Sequence, residues 1–135
     1  MVDKVLSTIH SNVISWVKNE IETVSYFSFT TDAWSAAAGN ASLLSLTAHW
    51  LTDNFLKKSA VLHVQPLENS HTGEYLAEVY KKMFDNWKIS ANQVHLVLQD
   101  NAANMAKAMW EASLPPFGCF AHSLQLVVED GVLSQ

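Results

Sequence analysis

Apolar residues recurring three or four positions apart set the first element of the chain. Val5, Ile9, Val13, Trp16, Val17, Ile21 and Val24 follow helical spacing across residues 3–24, with Lys4, Lys18, Asn19, Glu20 and Glu22 mostly opposite. That pattern predicts an amphipathic helix packed on a core. From Tyr26 the period becomes two. A strand is predicted from Tyr26 to about Trp34, and a turn over residues 36–40, where Gly39-Asn40 breaks the pattern. Residues 41–51 alternate Leu44, Leu46, Ala48 and Trp50 against Ser45, Thr47 and His49, as a half-buried strand does. Thr52-Asp53-Asn54 turns the chain into a third strand, from Phe55 to about Gln65. Three strands joined by short turns predict an antiparallel meander.

Pro66 to Ser70 is expected to break the sheet. Thr72 is suited to cap a helix that carries Leu76, Val79, Tyr80, Met83, Phe84 and Trp87 on one face, with Glu74 favoured in its first turn. Val94–Gln99 is apolar enough for a strand covered on both faces, as parallel pairing requires. A helix is expected over 101–112, carrying Ala102, Met105, Met109 and Trp110, and stopped by Pro115-Pro116. Phe117–Ala121 then reads as a fifth strand and Ser123 to about Asp130 as a last helix. The order β-β-β-α-β-α-β-α is that of an α/β, ribonuclease H-like fold: a five-stranded mixed sheet, three antiparallel strands followed by β-α-β-α, here with an extra N-terminal helix. The expected organisation is a helix over residues 1–25 against a partial ribonuclease H-like domain over 26–135.

Composition narrows the functions. A 135-residue chain is long enough for one core. Its charged fraction of 16% lies below the roughly one quarter usual in soluble domains, so apolar surface is expected that something else covers. The chain reads as a fragment. Net charge is −5, and all 8 basic residues are lysines. Without arginine there is no bidentate fork for phosphate or guanine, and the pairs Lys57-Lys58 and Lys81-Lys82 are too small for a nucleic-acid track. Weak DNA binding by this segment alone is expected. The single Cys119 excludes an internal disulfide and suits a reducing compartment. No window resembles a membrane helix and no secretory signal pattern opens the chain, which fits a cytosolic or nuclear address.

Two acids carry the candidate chemistry. Asp32 closes Tyr26–Thr31 and Asp100 closes Val94–Gln99, each at the end of an apolar strand where an unpaired carboxylate is costly. In the expected fold the fourth strand lies parallel beside the first, bringing both acids to one end of the sheet. Two neighbouring carboxylates begin a site for Mg²⁺ or Mn²⁺, which take oxygen ligands and keep several waters. With two ions about 3.5–4 Å apart, one activates an attacking oxygen and the other stabilises the leaving one. Asp32 would bridge both ions, Asp100 would hold one, and a third acid from a later helix would hold the second. Glu129 and Asp130 are the only late acids, and they read as helix surface. Structural roles stay open. Asp100-Asn101 is also a good helix cap. Asp32, after Thr30-Thr31 and before a turn, is placed for side-chain-to-backbone bonds.

Five segments together resemble one family: Phe29–Trp34, Leu44–Trp50, His71-Thr72, Asp100–Met105 and Cys119–Leu126. They resemble the hAT transposases and, more closely, the zinc-finger BED-domain proteins descended from them, from about residue 20 onward. The resemblance implies a ribonuclease H-like core in which Asp32 and Asp100 match the first two catalytic carboxylates. It also implies a third acid, a glutamate after a helical insertion, which this chain lacks along with the BED finger and the C-terminal dimerisation segment. Gln99 stands where relatives often carry Thr. Mg²⁺ or Mn²⁺ would belong to the full-length parent, with no tight binding expected here. DNA would be contacted through other domains, a homodimer formed through the missing segment, and the protein would work in the nucleus, with no membrane role.

Supporting residues follow from position or resemblance. Trp34, just past Asp32, is placed to wall the site. Asn101 and Asn104 are placed to hold a metal-bound water, though capping and helix surface explain them as well. Cys119 and His122 match the family's Cys-x-x-His and could supply half a zinc site, against a core thiol on the fifth strand beside a helix-starting His. Nucleophilic catalysis by Cys119 is not expected, because no cationic neighbour is evident. The other histidines show no ligand spacing, and the tryptophans other than Trp34 read as core. Three functions compete: a transposase-derived scaffold acting in DNA binding and transcriptional regulation, a Mg²⁺-dependent transposase core in the full-length parent, and an unrelated α/β binding domain in which both aspartates are caps.

Overall fold

A computed structural model describes residues 2–35, 42–68 and 71–133. Helix α1 (Val2–Ile21) leads into strands β1 (Phe27–Ser35), β2 (Ser42–Leu51) and β3 (Lys57–Leu67). Helix α2 (Gly73–Trp87), strand β4 (Val94–Gln99), helix α3 (Ala103–Glu111), strand β5 (Pro116–Gly118) and helix α4 (Phe120–Val128) follow, with a π turn at Glu129–Leu133. The sheet order is β3-β2-β1-β4-β5. β1, β2 and β3 pair antiparallel, and β4 lies parallel between β1 and β5. This is the topology expected from element order.

Alternation decides which sheet face is covered. Phe27, Phe29, Leu44, Leu46, Ala48 and Trp50 are buried on one face, whereas Ser28, Thr30, Ser45, Thr47 and His49 on the other are half-exposed. α2 lies against the apolar face: the Phe29 and Phe84 rings meet edge-on at 4.9 Å. Thr72 caps α2 as expected, its Oγ1 accepting from the Tyr75 amide at 3.3 Å. α3 packs closely on α2 because Gly73 has no side chain; a Cβ there would stand 2.7 Å from Lys107 Cβ. The Lys107–Glu74 ion pair and the bond from Asn104 Nδ2 to the His71 carbonyl (3.0 Å) join the same two helices.

Several expectations are corrected. Pro66 belongs to β3 rather than ending it, opposite Leu43. β3 is an edge strand, where a missing N–H costs no ladder bond. α1 packs through its last turns only: Val17 and Ile21 are buried, Lys18 lies over the Trp87 ring and Lys58 pairs with Glu20. Val5, Ile9, Val13 and Trp16 face outward. Trp110, read as core, is 79% exposed on the outer face of α3. The fifth strand is only Pro116–Gly118 and exposed, and the last helix starts at Phe120, so Cys119 is a half-exposed helix-capping position and not a core thiol. The turn expected over 36–40 lies outside the described residues. α4 buries none of its side chains, Phe120 being 77% exposed, which accords with the low charged fraction. Among the described residues no helix is long and apolar enough to cross a membrane.

Candidate carboxylate site

β1 places Asp32 and β4 places Asp100. Antiparallel pairing sets Asp32 opposite Ser45, with Ser45 Oγ donating to the Asp32 carbonyl at 3.4 Å. Parallel pairing runs from Phe27↔Val94 to Thr30↔Leu98. Continued two residues past that last pair, the register brings Asp32 level with Asp100 at the carboxyl ends of adjacent strands. That end of an open α/β sheet is where such folds bind ligands. Asp32 is exposed, and its carboxylate makes no hydrogen bond among the described residues. Asp100 is half-buried, and its Oδ1 accepts from the Ala102 amide at 3.2 Å. The capping expectation is thereby corrected in detail: Ala102 is the α3 cap residue, and Asp100 closes a turn two residues earlier.

The two carboxylates act on one buried group. Tyr80, on α2, is fully enclosed with its hydroxyl 2.7 Å from Thr31 Oγ1. Burial pushes that hydroxyl's pKa well above the usual phenol range. The charges of Asp100 and Asp32 add to the shift. Both acids thus lie within electrostatic reach of one atom. Sequence reasoning placed Tyr80 on a core face and missed this role; a lone hydroxyl on an apolar helix face was the signal. Gln99, beside Asp100, is 5% exposed, and its Oε1 has no partner among the described residues.

The other candidates scatter. Trp34 lies two residues past Asp32, on the same strand face and 41% exposed. Asn101 turns toward β5 and α4: its Nδ2 donates to Ser123 Oγ at 2.6 Å, and its side chain lies over Gly118. Asn104 holds the start of α2 through His71. Cys119 and His122 sit at the start of α4, and among the described residues no group of three or more His, Cys, Asp or Glu side chains could hold a metal. A groove of about 940 Å³ opens elsewhere, around Ser28, Thr30, His49, Lys57 and His95. There His49 Nε2 meets Thr30 Oγ1 at 3.0 Å. Its imidazole pKa is lowered, first by burial and then by the charge of Lys57.

Comparison with known proteins decides the family. The profile described as the ZBED1 RNase-like domain matches residues 30–114, from β1 through α3. The chain belongs to this family. It is 26% identical over 122 residues to the putative AC transposase of Zea mays, covering 80% of this chain and 15% of that protein. It is 27% identical over 116 residues to the putative transcriptional regulator tpeD of Talaromyces stipitatus, covering 76% and 14%. It is also 26% identical over 116 residues to zinc finger BED domain-containing protein 4 of Homo sapiens, covering 79% and 10%. The chain therefore spans about 15% or less of these relatives' lengths. The family match covers both Asp32 and Asp100 and identifies a transposase-derived, BED-type RNase-like domain.

Proposed function

We propose that this chain is part of the ribonuclease H-like core of a hAT-derived, zinc-finger BED-type protein that acts on DNA as a nuclear regulator, and that the chain itself does not cut DNA. The observation that carries the reading is the parallel register of β1 on β4, which, continued two residues past its last pair Thr30↔Leu98, would bring Asp32 level with Asp100 just beyond the end of β4; among the described residues no third metal-ligating side chain joins them. Their oxygens suit a single Mg²⁺ or Mn²⁺ completed by waters. Such an ion would neutralise the pair and offer a site for a phosphate oxygen. A second ion, needed for in-line phosphodiester cleavage, would lack its third protein ligand. The charge of −5 and the absence of arginine assign tight DNA contact to other parts of the parent, and a homodimer would form there too.

The test is a cleavage and binding assay on the purified chain with duplex DNA and Mn²⁺. No strand cleavage and only weak, salt-sensitive binding are expected. Manganese-dependent nicking that Asp32→Asn abolishes would sink the non-catalytic reading. A second reading, an active transposase core in the full-length parent, is favoured by the Zea mays relative named as a putative transposase. In that case Asp32→Asn in the full-length protein abolishes strand transfer while leaving DNA binding intact.

A further inference from the structure

The ladder between β1 and β4 stops before the acids. Its last pair is Thr30↔Leu98, whereas β1 continues to Ser35 bonded only to β2. No backbone pairing therefore sets the gap between Asp32 and Asp100. At this level the Tyr80 hydroxyl reaches up from α2, 2.7 Å from Thr31 Oγ1 and 3.8 Å from Met105 Sδ. Thr31 precedes Asp32, and Met105 lies in the first turn of α3, the helix that follows Asp100.

The direction of each bond follows from the donors. Thr31 Oγ1 lies 2.7 Å from the Ser45 carbonyl, which can only accept. Thr31 therefore donates to Ser45 and accepts from Tyr80, and the sulfur is a packing contact. Ser45 is the cross-strand partner of Asp32 and holds its carbonyl. The series Tyr80, Thr31, Ser45 thus fixes the backbone on both sides of the Asp32 carboxylate. Packing alone would be met by phenylalanine, because a buried hydroxyl is costly unless bonded.

We propose that Tyr80 is the positioning residue of the carboxylate pair: it bridges β1 to α3 where strand pairing has ended, and so sets the separation and aim of Asp32 and Asp100 toward a hard divalent cation. The inference rests on the cation reading above. The experiment is a Mn²⁺ titration of the purified chain, followed by paramagnetic broadening of the Asp32 and Asp100 amide signals. Tyr80→Phe, Thr31→Val, Asp32→Asn and a remote packing control, Leu62→Val in β3, are compared with the wild type. The wild type should show weak, saturable broadening centred on both residues, and Asp32→Asn should lose it. Tyr80→Phe and Thr31→Val should weaken it about tenfold, as removal of a ligand's supporting partner does, with Leu62→Val unchanged. Equal responses in wild type and Tyr80→Phe, or an equal loss in Leu62→Val, overturn the positioning role alone. A wild type that shows no broadening at either aspartate overturns the cation reading and this inference with it.

Discussion

Replacing Gly118 by alanine should change sign in its effect on stability, depending on what stands at position 101. A Cβ at Gly118 would fall well inside contact distance of Asn101 Oδ1 and 3.4 Å from its Cγ. The amide must then swing away, giving up the 2.6 Å bond to Ser123 Oγ and the longer one to the Cys119 carbonyl. Loss of the stronger bond costs about 1 kcal/mol, and residual crowding adds about 1 kcal/mol. Against this, Gly→Ala restricts the unfolded chain and returns about 0.4–1 kcal/mol. Gly118→Ala alone should destabilise by roughly 1 kcal/mol. With Asn101→Ala already in place nothing remains to collide with, and the same change should stabilise by about 0.5 kcal/mol. Urea unfolding of the four-member cycle reads this as midpoint shifts of opposite direction at constant slope. Effects of one sign that add within about 0.5 kcal/mol would refute the steric argument.

Two further outcomes follow from buried polar atoms. Gln99→Leu should raise stability by about 1 kcal/mol in thermal unfolding, since Oε1 is buried without a partner among the described residues; a loss would mean that this oxygen is satisfied in solution. His49 has a folded-state pKa below its ordinary 6.5, so the unfolded chain binds the extra proton more readily. Its contribution to stability is present above pH 6.5 and is lost as pH falls through 6.5 toward the lowered folded value. His49→Phe should flatten the pH dependence of the unfolding midpoint in that window, and the imidazole signals should titrate below 6.5. A His49 titration at or above the ordinary value would contradict the burial argument.

Period-two alternation located β1 and β2, and an apolar run located β4, within a residue or two, and element order supplied the sheet topology that sets β1 beside β4. Periodicity tells which residues share a face, but not whether anything covers that face. Val5, Ile9, Val13 and Trp16 form a clean stripe on α1 and yet stay exposed, because only the last turns of that helix meet the core. Cys119 was misread for another reason. Its amide still bonds the Gln99 carbonyl at 2.9 Å, continuing the direction of β5, while its own φ and ψ already cap α4. The Tyr80–Thr31 bond joins residues 49 apart and left no local pattern beyond one polar atom on an apolar face.

The competing readings of the two aspartates exclude each other less than their sequence contexts suggest. A carboxylate offers two oxygens with about four lone-pair positions, and Asp100 gives the Ala102 amide only a bond to Oδ1. A turn-closing role and a cation role can therefore coexist on Asp100. Asp32 differs. It lies within a strand, is exposed, closes no turn among the described residues, and its backbone is held on both sides through Ser45 and Thr31. An exposed acid held so firmly, whose carboxylate makes no bond among the described residues, is the better candidate for the main ligand of a single cation. Asp100, carried on the segment that leads into α3, is the better candidate for its supporting ligand. The asymmetry makes its own demand: under the cation reading, Asp32→Asn should reduce Mn²⁺ broadening more than Asp100→Asn, which keeps an acceptor for Ala102.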